Sequence, residues 1–86
     1  MPRIIAMHDV DDVERWLASP KRDEIFKNVA FDMVTFVHPV EPNKVGLSAN
    51  IPDIDKFLEI NNGPIGVEAM KHDGVHADTV VFMVEA

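Results

Sequence analysis

Any chemistry in this chain must come from a short list of side chains. The 86 residues hold no cysteine, no tyrosine and four histidines. No thiolate nucleophile or thiolate metal ligand is therefore available. The serines, Ser19 and Ser48, stand outside any Gly-x-Ser-x-Gly frame. Gly63-Pro64-Ile65-Gly66 lacks the lysine and the spacing of a phosphate loop. His72 and His76 have helical metal-ligand spacing, but Gly74 falls between them where a helix should end. No metal site and no bound cofactor are expected, and no histidine has the motif context of a haem ligand.

Proton transfer is the chemistry left, because an imidazole titrates near neutrality. His8 and His38 close two successive strand-like runs expected to run in opposite directions, so they should lie a strand length apart, ~15–20 Å. The end carrying His8 is the richer one. It should gather His76, Asp78 and Thr79 from the start of the last strand, Asn50 from the third, Asp32 from the second and Trp16 from the first helix. The candidate catalytic group is His8, oriented by Asp78 or assisted by His76. Trp16, Phe36, Phe57 and Asn50 are the candidate substrate-binding residues of an apolar cavity. Each also has a plainer reading. Trp16 and Phe57 suit a core, Asp78 suits a turn, His72 and His76 suit solvent, and a strand-end histidine is commonly satisfied by backbone or carboxylate.

The elements that must position these groups follow from an internal repeat. Asp11-Asp12-Val13-Glu14-Arg15-Trp16-Leu17 returns in altered form as Asp53-Ile54-Asp55-Lys56-Phe57-Leu58. Each copy follows a strand-like run and is interrupted by proline, at Pro20 and at Gly63-Pro64. Asp11 is expected to cap the first helix, with Glu14 at capping-box spacing and Val13, Trp16 and Leu17 inward. Ser19-Pro20 suits a cap followed by proline at the start of a second helical piece, which would bury Ile25, Phe26 and Val29. Asp53 opens the other helix, and Gly74 suits the position just beyond its end.

Strands are expected over residues 3–8, 31–38, 44–51 and 78–85. In the second, Phe31, Met33, Thr35 and Val37 share one face. In the third, Val45, Leu47, Ala49 and Ile51 alternate with Gly46, Ser48 and Asn50. The order βαββαβ, read as two right-handed βαβ units, is the α+β, ferredoxin-like arrangement. It places a four-stranded antiparallel sheet, in the order four, one, three, two, under two broken helices on one face. The strands are apolar on both faces, yet the helices cover only one. A two-fold homodimer through the open sheet face is the expected remedy, closing an α/β barrel.

Composition bounds the partners. The length suits one domain, residues 1–86. A net charge of −7 argues against nucleic acid and anionic membrane as partners. No apolar run approaches the ~20 residues that cross a bilayer. A small chain without cysteine or a leader-like segment is expected to be cytoplasmic.

The double βαβ, the two-faced strands and the aromatic residue in each broken helix resemble the dimeric α/β-barrel superfamily over the whole chain. Within it, Met7-His8-Asp9-Val10-Asp11-Asp12-Val13 and Trp16-Leu17-Ala18-Ser19-Pro20-Lys21-Arg22 look like small bacterial members of antibiotic-biosynthesis-monooxygenase-like or EthD-like type. The resemblance implies a small-molecule protein, since that superfamily includes cofactor-free oxygenases, isomerases, dehalogenases, cyclases and haem enzymes. Two classes of function follow. One is a cofactor-independent enzyme acting on a small hydrophobic or aromatic metabolite. The other is a non-catalytic module that binds a small ligand or a partner.

Overall fold

The computed structural model describes residues 2–86; Met1, the first residue of the expected domain, lies outside the described residues. Its elements are β1 (Arg3–Val10), α1 (Val13–Ala18), α2 (Lys21–Phe26), β2 (Phe31–Val37), β3 (Lys44–Asn50), α3 (Ile54–Asn62), α4 (Pro64–Asp73) and β4 (Val75–Val84). The strands form one antiparallel sheet in the order β2-β3-β1-β4. This is the expected ferredoxin-like α+β fold, with each helix broken where its proline stands.

The two breaks have clear local causes. Ser19 ends α1 in an extended conformation, and its hydroxyl accepts from the Lys21 N–H at 3.2 Å, starting α2. Gly63 is extended between α3 and α4, with Pro64 at the first position of α4. Gly74 closes α4 at φ 70°, the left-handed conformation glycine adopts without strain, and its N–H reaches the Lys71 and Met70 carbonyls.

Burial follows the strand period. Ile4, Ala6, His8 and Val10 of β1 and Val45, Leu47 and Ala49 of β3 point under the helices and are buried. Trp16, Phe26 and Phe57 meet them from above. Phe57 joins the helices to β4, with its ring 4.7 Å from Phe26 and 6.0 Å from Phe82. The other sheet face carries Ile5, Met7, Val34, Phe36, Val81 and Met83, all between 38 and 52% exposed.

Several expected details differ. Asp12, not Asp11, caps α1, accepting from the Glu14 and Arg15 N–H groups. Leu17 turns to solvent at 44% exposure rather than inward. β1 does not stop at His8. Asp9 and Val10 continue it, because Lys44 lies 3.4 Å from the Asp9 carboxylate and the Asp9 N–H donates to Thr79 Oγ1 at 2.8 Å.

β4 starts at Val75 rather than Asp78, and it carries a bulge. Met7 pairs with Val81 and Asp9 with His76, so His8 alone faces the run Ala77-Asp78-Thr79-Val80. A second bulge in β2 puts Asp32 at φ 53°. It moves Phe31 onto the face shared by Val34 and Phe36, against the expected alternation.

Candidate functional site

A cavity of about 220 Å³ lies between the helices and the sheet. Ala6, Leu47, Phe57, Val80 and Phe82 give it an apolar lining, and α2, α3 and α4 supply Ile25, Phe26, Leu58, Ala69 and Met70. Its polar groups are few: His8, Trp16, Arg22, Asn61, Asn62 and Asp73. An apolar hollow with a few convergent polar groups is the usual form of a small-molecule site.

His8 reaches the cavity because its strand position alternates inward with Ala6 and Val10. The residue is 8% exposed. Its ring stands perpendicular to the Trp16 indole, with centroids 5.6 Å apart. Nδ1 is sealed from solvent and has no partner in hydrogen-bond geometry among the described residues. Leaving such an atom unmatched costs about 1–3 kcal/mol. Burial pushes the imidazole below the ordinary histidine pKa, and the nearby Arg22 charge adds to this. The Asp9 backbone and carboxylate oppose the shift in part. His8 is therefore a neutral imidazole at pH 7, able to accept a proton.

Trp16 is 1% exposed and is shared by two polar neighbours. Besides His8 at its ring, the Arg22 guanidinium sits over the indole face at 4.1 Å from the centroid, a cation–π arrangement. Arg22 Nη1 also donates to the Trp16 carbonyl at 2.8 Å. The Asp73 carboxylate lies 3.7 Å from Nη1 and is itself 3% exposed. His72 Nδ1 donates to the other Asp73 oxygen at 2.9 Å. Burial lowers the Arg22 pKa below the ordinary arginine value, while Asp73 and Asp23 hold the proton on.

The structure brings His8, Trp16 and Phe57 together at the cavity. It places the other expected site residues elsewhere. His76 is exposed, and its Nε2 donates to Asp11 at 2.5 Å. That carboxylate draws the His76 pKa above the usual value. Asp78 is exposed on the bulge, and its charge acts on His76 rather than orienting His8. Phe36 and Asn50 belong to the opposite sheet face. Phe36 pairs with Gly46 across the strands, and Asn50 is tied to Arg3 and Asp32 at 2.8 and 2.9 Å. Odd and even strand positions face opposite ways, which separates Phe36 from His8. Asn50 and Asp32 also lie at the other end of the sheet, beside Arg3, while Val37 and His8 both pair with Val45. Two antiparallel steps through β3 make β1 and β2 parallel, so His8 and His38 share one end rather than lying a strand length apart.

Arg22 and Asp73 are cavity residues that periodicity alone does not mark. His72 ends α4 and His76 lies in β4, so their paper spacing never becomes a shared helix face. Among the described residues, no three His, Asp or Glu side chains are grouped to hold a metal ion.

Neither a family sequence model nor a curated protein matches the chain. Solved structures do. A Bordetella bronchiseptica protein described as an antibiotic biosynthesis monooxygenase superposes with a TM-score of 0.71 at 15% identity, covering 99% of this chain and 94% of that one. SnoaB, a cofactor-independent oxygenase from Streptomyces nogalater solved as a point mutant, gives 0.64 at 11% identity over 99% and 90%. A Mesorhizobium loti dabb-family protein with a ferredoxin-like fold gives 0.61 at 12% identity over 99% and 94%. At these identities the likeness is one of fold. The chain thus has the ferredoxin-like fold of the antibiotic-biosynthesis-monooxygenase-like proteins, in agreement with the resemblance carried by its repeat.

Proposed function

We propose that the protein is a cofactor-independent enzyme of oxygenase type, acting on a small, flat, enolisable aromatic metabolite held between the sheet and the helices. The observation that carries this is His8: a neutral, buried imidazole with an unpartnered nitrogen, lining an apolar cavity. The likeness in fold to a cofactor-independent oxygenase supports the reaction type.

In this reading, His8 takes an acidic proton from a CH₂ group beside a carbonyl. The enolate formed is electron-rich enough to reduce O₂ directly. Loss of the second hydrogen with O–O cleavage leaves a new carbonyl and one water, so CH₂ and O₂ become C=O and H₂O. The apolar walls keep bulk water from reprotonating the enolate.

The test uses 2-tetralone and phenylpyruvate with a chelator present. Deuterium exchange at the acidic carbon is followed by NMR, and O₂ uptake by electrode. His8→Ala should slow exchange by about 100-fold or more. Exchange by the variant at the wild-type rate would remove His8 from the reaction. The second reading, a non-catalytic ligand-binding module, is favoured by the lack, among the described residues, of a carboxylate hydrogen-bonded to His8 Nδ1. Saturable binding that survives His8→Ala without exchange or O₂ uptake would select it.

The same proposal includes a homodimer through the exposed sheet face. Ile5, Met7, Val34, Phe36, Val81 and Met83 form a shared apolar surface of the kind that marks an interaction site. Light scattering should find a dimer at micromolar concentration and a monomer for Val81→Arg. A wild-type monomer would refute it. Among the described residues, no helix is long and apolar enough to cross a membrane.

A further inference from the structure

We propose that Arg22 is a carboxylate-binding residue, so that the ligand of the cavity carries a carboxylate at the end nearest Trp16. The inference rests on the cavity reading above and adds the chemical class of what enters it.

Five N–H groups on an arginine need partners when the side chain leaves water. The Arg22 side chain is only 13% exposed. Nη1 is used on the Trp16 carbonyl at 2.8 Å. The nearest Asp73 oxygen approaches that same nitrogen, at 3.7 Å, too far for a hydrogen bond. Nε and Nη2 have no hydrogen-bond partner among the described residues, and, unlike His8 Nδ1, neither is sealed from solvent, so both are open to a ligand. Those two N–H groups point in parallel from one edge of the guanidinium. Such a fork matches the two oxygens of a carboxylate.

The setting favours that ligand over other anions. Arg22 is the sole Lys or Arg among the residues lining the cavity, in a chain with a net charge of −7. An acidic protein that keeps one arginine in an apolar hollow, with the three N–H groups of Nε and Nη2 unmatched, is arranged for one compact anion. A phosphate would need further donors, and the remaining walls are mostly aliphatic and aromatic. The single lining carboxylate, Asp73, has one oxygen occupied by His72 and faces Nη1, away from the open fork. Trp16 fixes the rest of the arrangement. The guanidinium is stacked over its face, and the His8 ring stands perpendicular to it. A ligand held by its carboxylate at Arg22 can therefore set its apolar body against Phe26, Phe57 and Leu58 in the cavity that His8 also lines.

The test compares 3-phenylpropanoate with its neutral isostere 3-phenylpropanamide at pH 7.5, by calorimetry and by the fluorescence of Trp16, the only tryptophan. The wild type should bind the acid about 10-fold or more tightly than the amide. Arg22→Gln should bring the two to parity while the amide keeps its wild-type Kd, which also shows that the cavity is intact. Arg22→Lys keeps a charge without the fork and should lose most of the preference. It serves alone if Arg22→Gln does not fold. Equal binding of acid and amide by the wild type overturns the Arg22 proposal and leaves the cavity standing. A preference that persists in Arg22→Lys also overturns it. Binding of neither probe overturns it together with the cavity reading.

Discussion

Replacing Trp16 by alanine tests the packing and the chemistry of the cavity in one experiment. The indole is 1% exposed, touches His8 ring to ring and carries the Arg22 guanidinium on its face. Truncating a buried tryptophan costs about 3–5 kcal/mol, from lost burial and the void that remains. The whole stability of an 86-residue domain is on the order of 4–13 kcal/mol. In a chain this size each kcal/mol moves the Tm by about 4–8 °C, so a drop of roughly 12–40 °C is expected by circular dichroism. The variant should still fold at low temperature. There, a titration of imidazole carbon-bound protons by NMR reads the second effect. With the indole gone, water reaches His8, and its depressed pKa should rise toward 6.5. A loss of stability with the His8 midpoint unmoved would refute burial by Trp16 as the cause of the depression. A Tm within about 5 °C of wild type, by the scale just given, would refute the packing argument itself.

Three more outcomes are expected. The two histidines at this end of the sheet should titrate on opposite sides of 6.5, His8 below and His76 above. His8 must stay neutral to remain buried, so its contribution to stability is full above pH 6.5 and lost as pH falls through its folded pKa. The His76–Asp11 pair contributes below 6.5, and that contribution is lost as pH rises through the raised His76 value. Melting curves of His8→Ala and His76→Gln across roughly pH 5–8 check the two slopes; the same slope in both variants would contradict the assignment. Asp12→Ala should cost ~1 kcal/mol in urea unfolding, the worth of a helix cap, whereas Asp11→Ala leaves the α1 cap in place. Gly66→Ala should cost about 1–3 kcal/mol, because a Cβ there would lie 2.2 Å from the Asn61 carbonyl oxygen and force α4 away from the end of α3.

The repeat makes the architecture readable from sequence. Two strand–helix–strand units with prolines at matching places leave few ways to build a sheet. Matching the two copies even points to the correct helix cap, since pairing Trp16 with Phe57 puts Asp12, not Asp11, opposite Asp53. Capping-box spacing pulls the choice to Asp11, and the folded chain instead uses Asp11 to hold His76. The bulges are not readable in this way. Nothing in hydrophobic alternation marks where one strand carries surplus residues, and one such residue at Asp32 is enough to turn Phe31 to the other face.

His8 is legible as a candidate because it closes an apolar run, but its inward facing is not, because Ile5 and Met7 are as apolar as Ile4 and Ala6 and leave both faces open to choice. Arg22 is not. A cation six residues beyond Trp16 reads as solvent-facing on any continuous helix. Only the break at Ser19-Pro20 lets α2 turn it back over the indole. Asp73 hides for a related reason. It sits in the last turn of α4 among Lys71 and His72, where a charged run suggests water, yet it is 3% exposed.

The bulge in β4 divides the β1–β4 ladder into two separately fastened parts. On one side, Ile4 to Met7 are zipped to Val81 through Val84. On the other, Asp9 and Val10 are held by His76 and Val75, with Thr79 clipping the bulge to the Asp9 backbone. The segment from Ala77 to Val80 is thus a spliced insert whose length the pairing on either side does not dictate. Loop grafting there can change the rim of the cavity at Val80, beside His8, without resetting the alternation that turns His8 inward. In a chain of 86 residues, nearly all committed to one sheet and its cover, this is the place where recognition can diverge while the frame stays fixed.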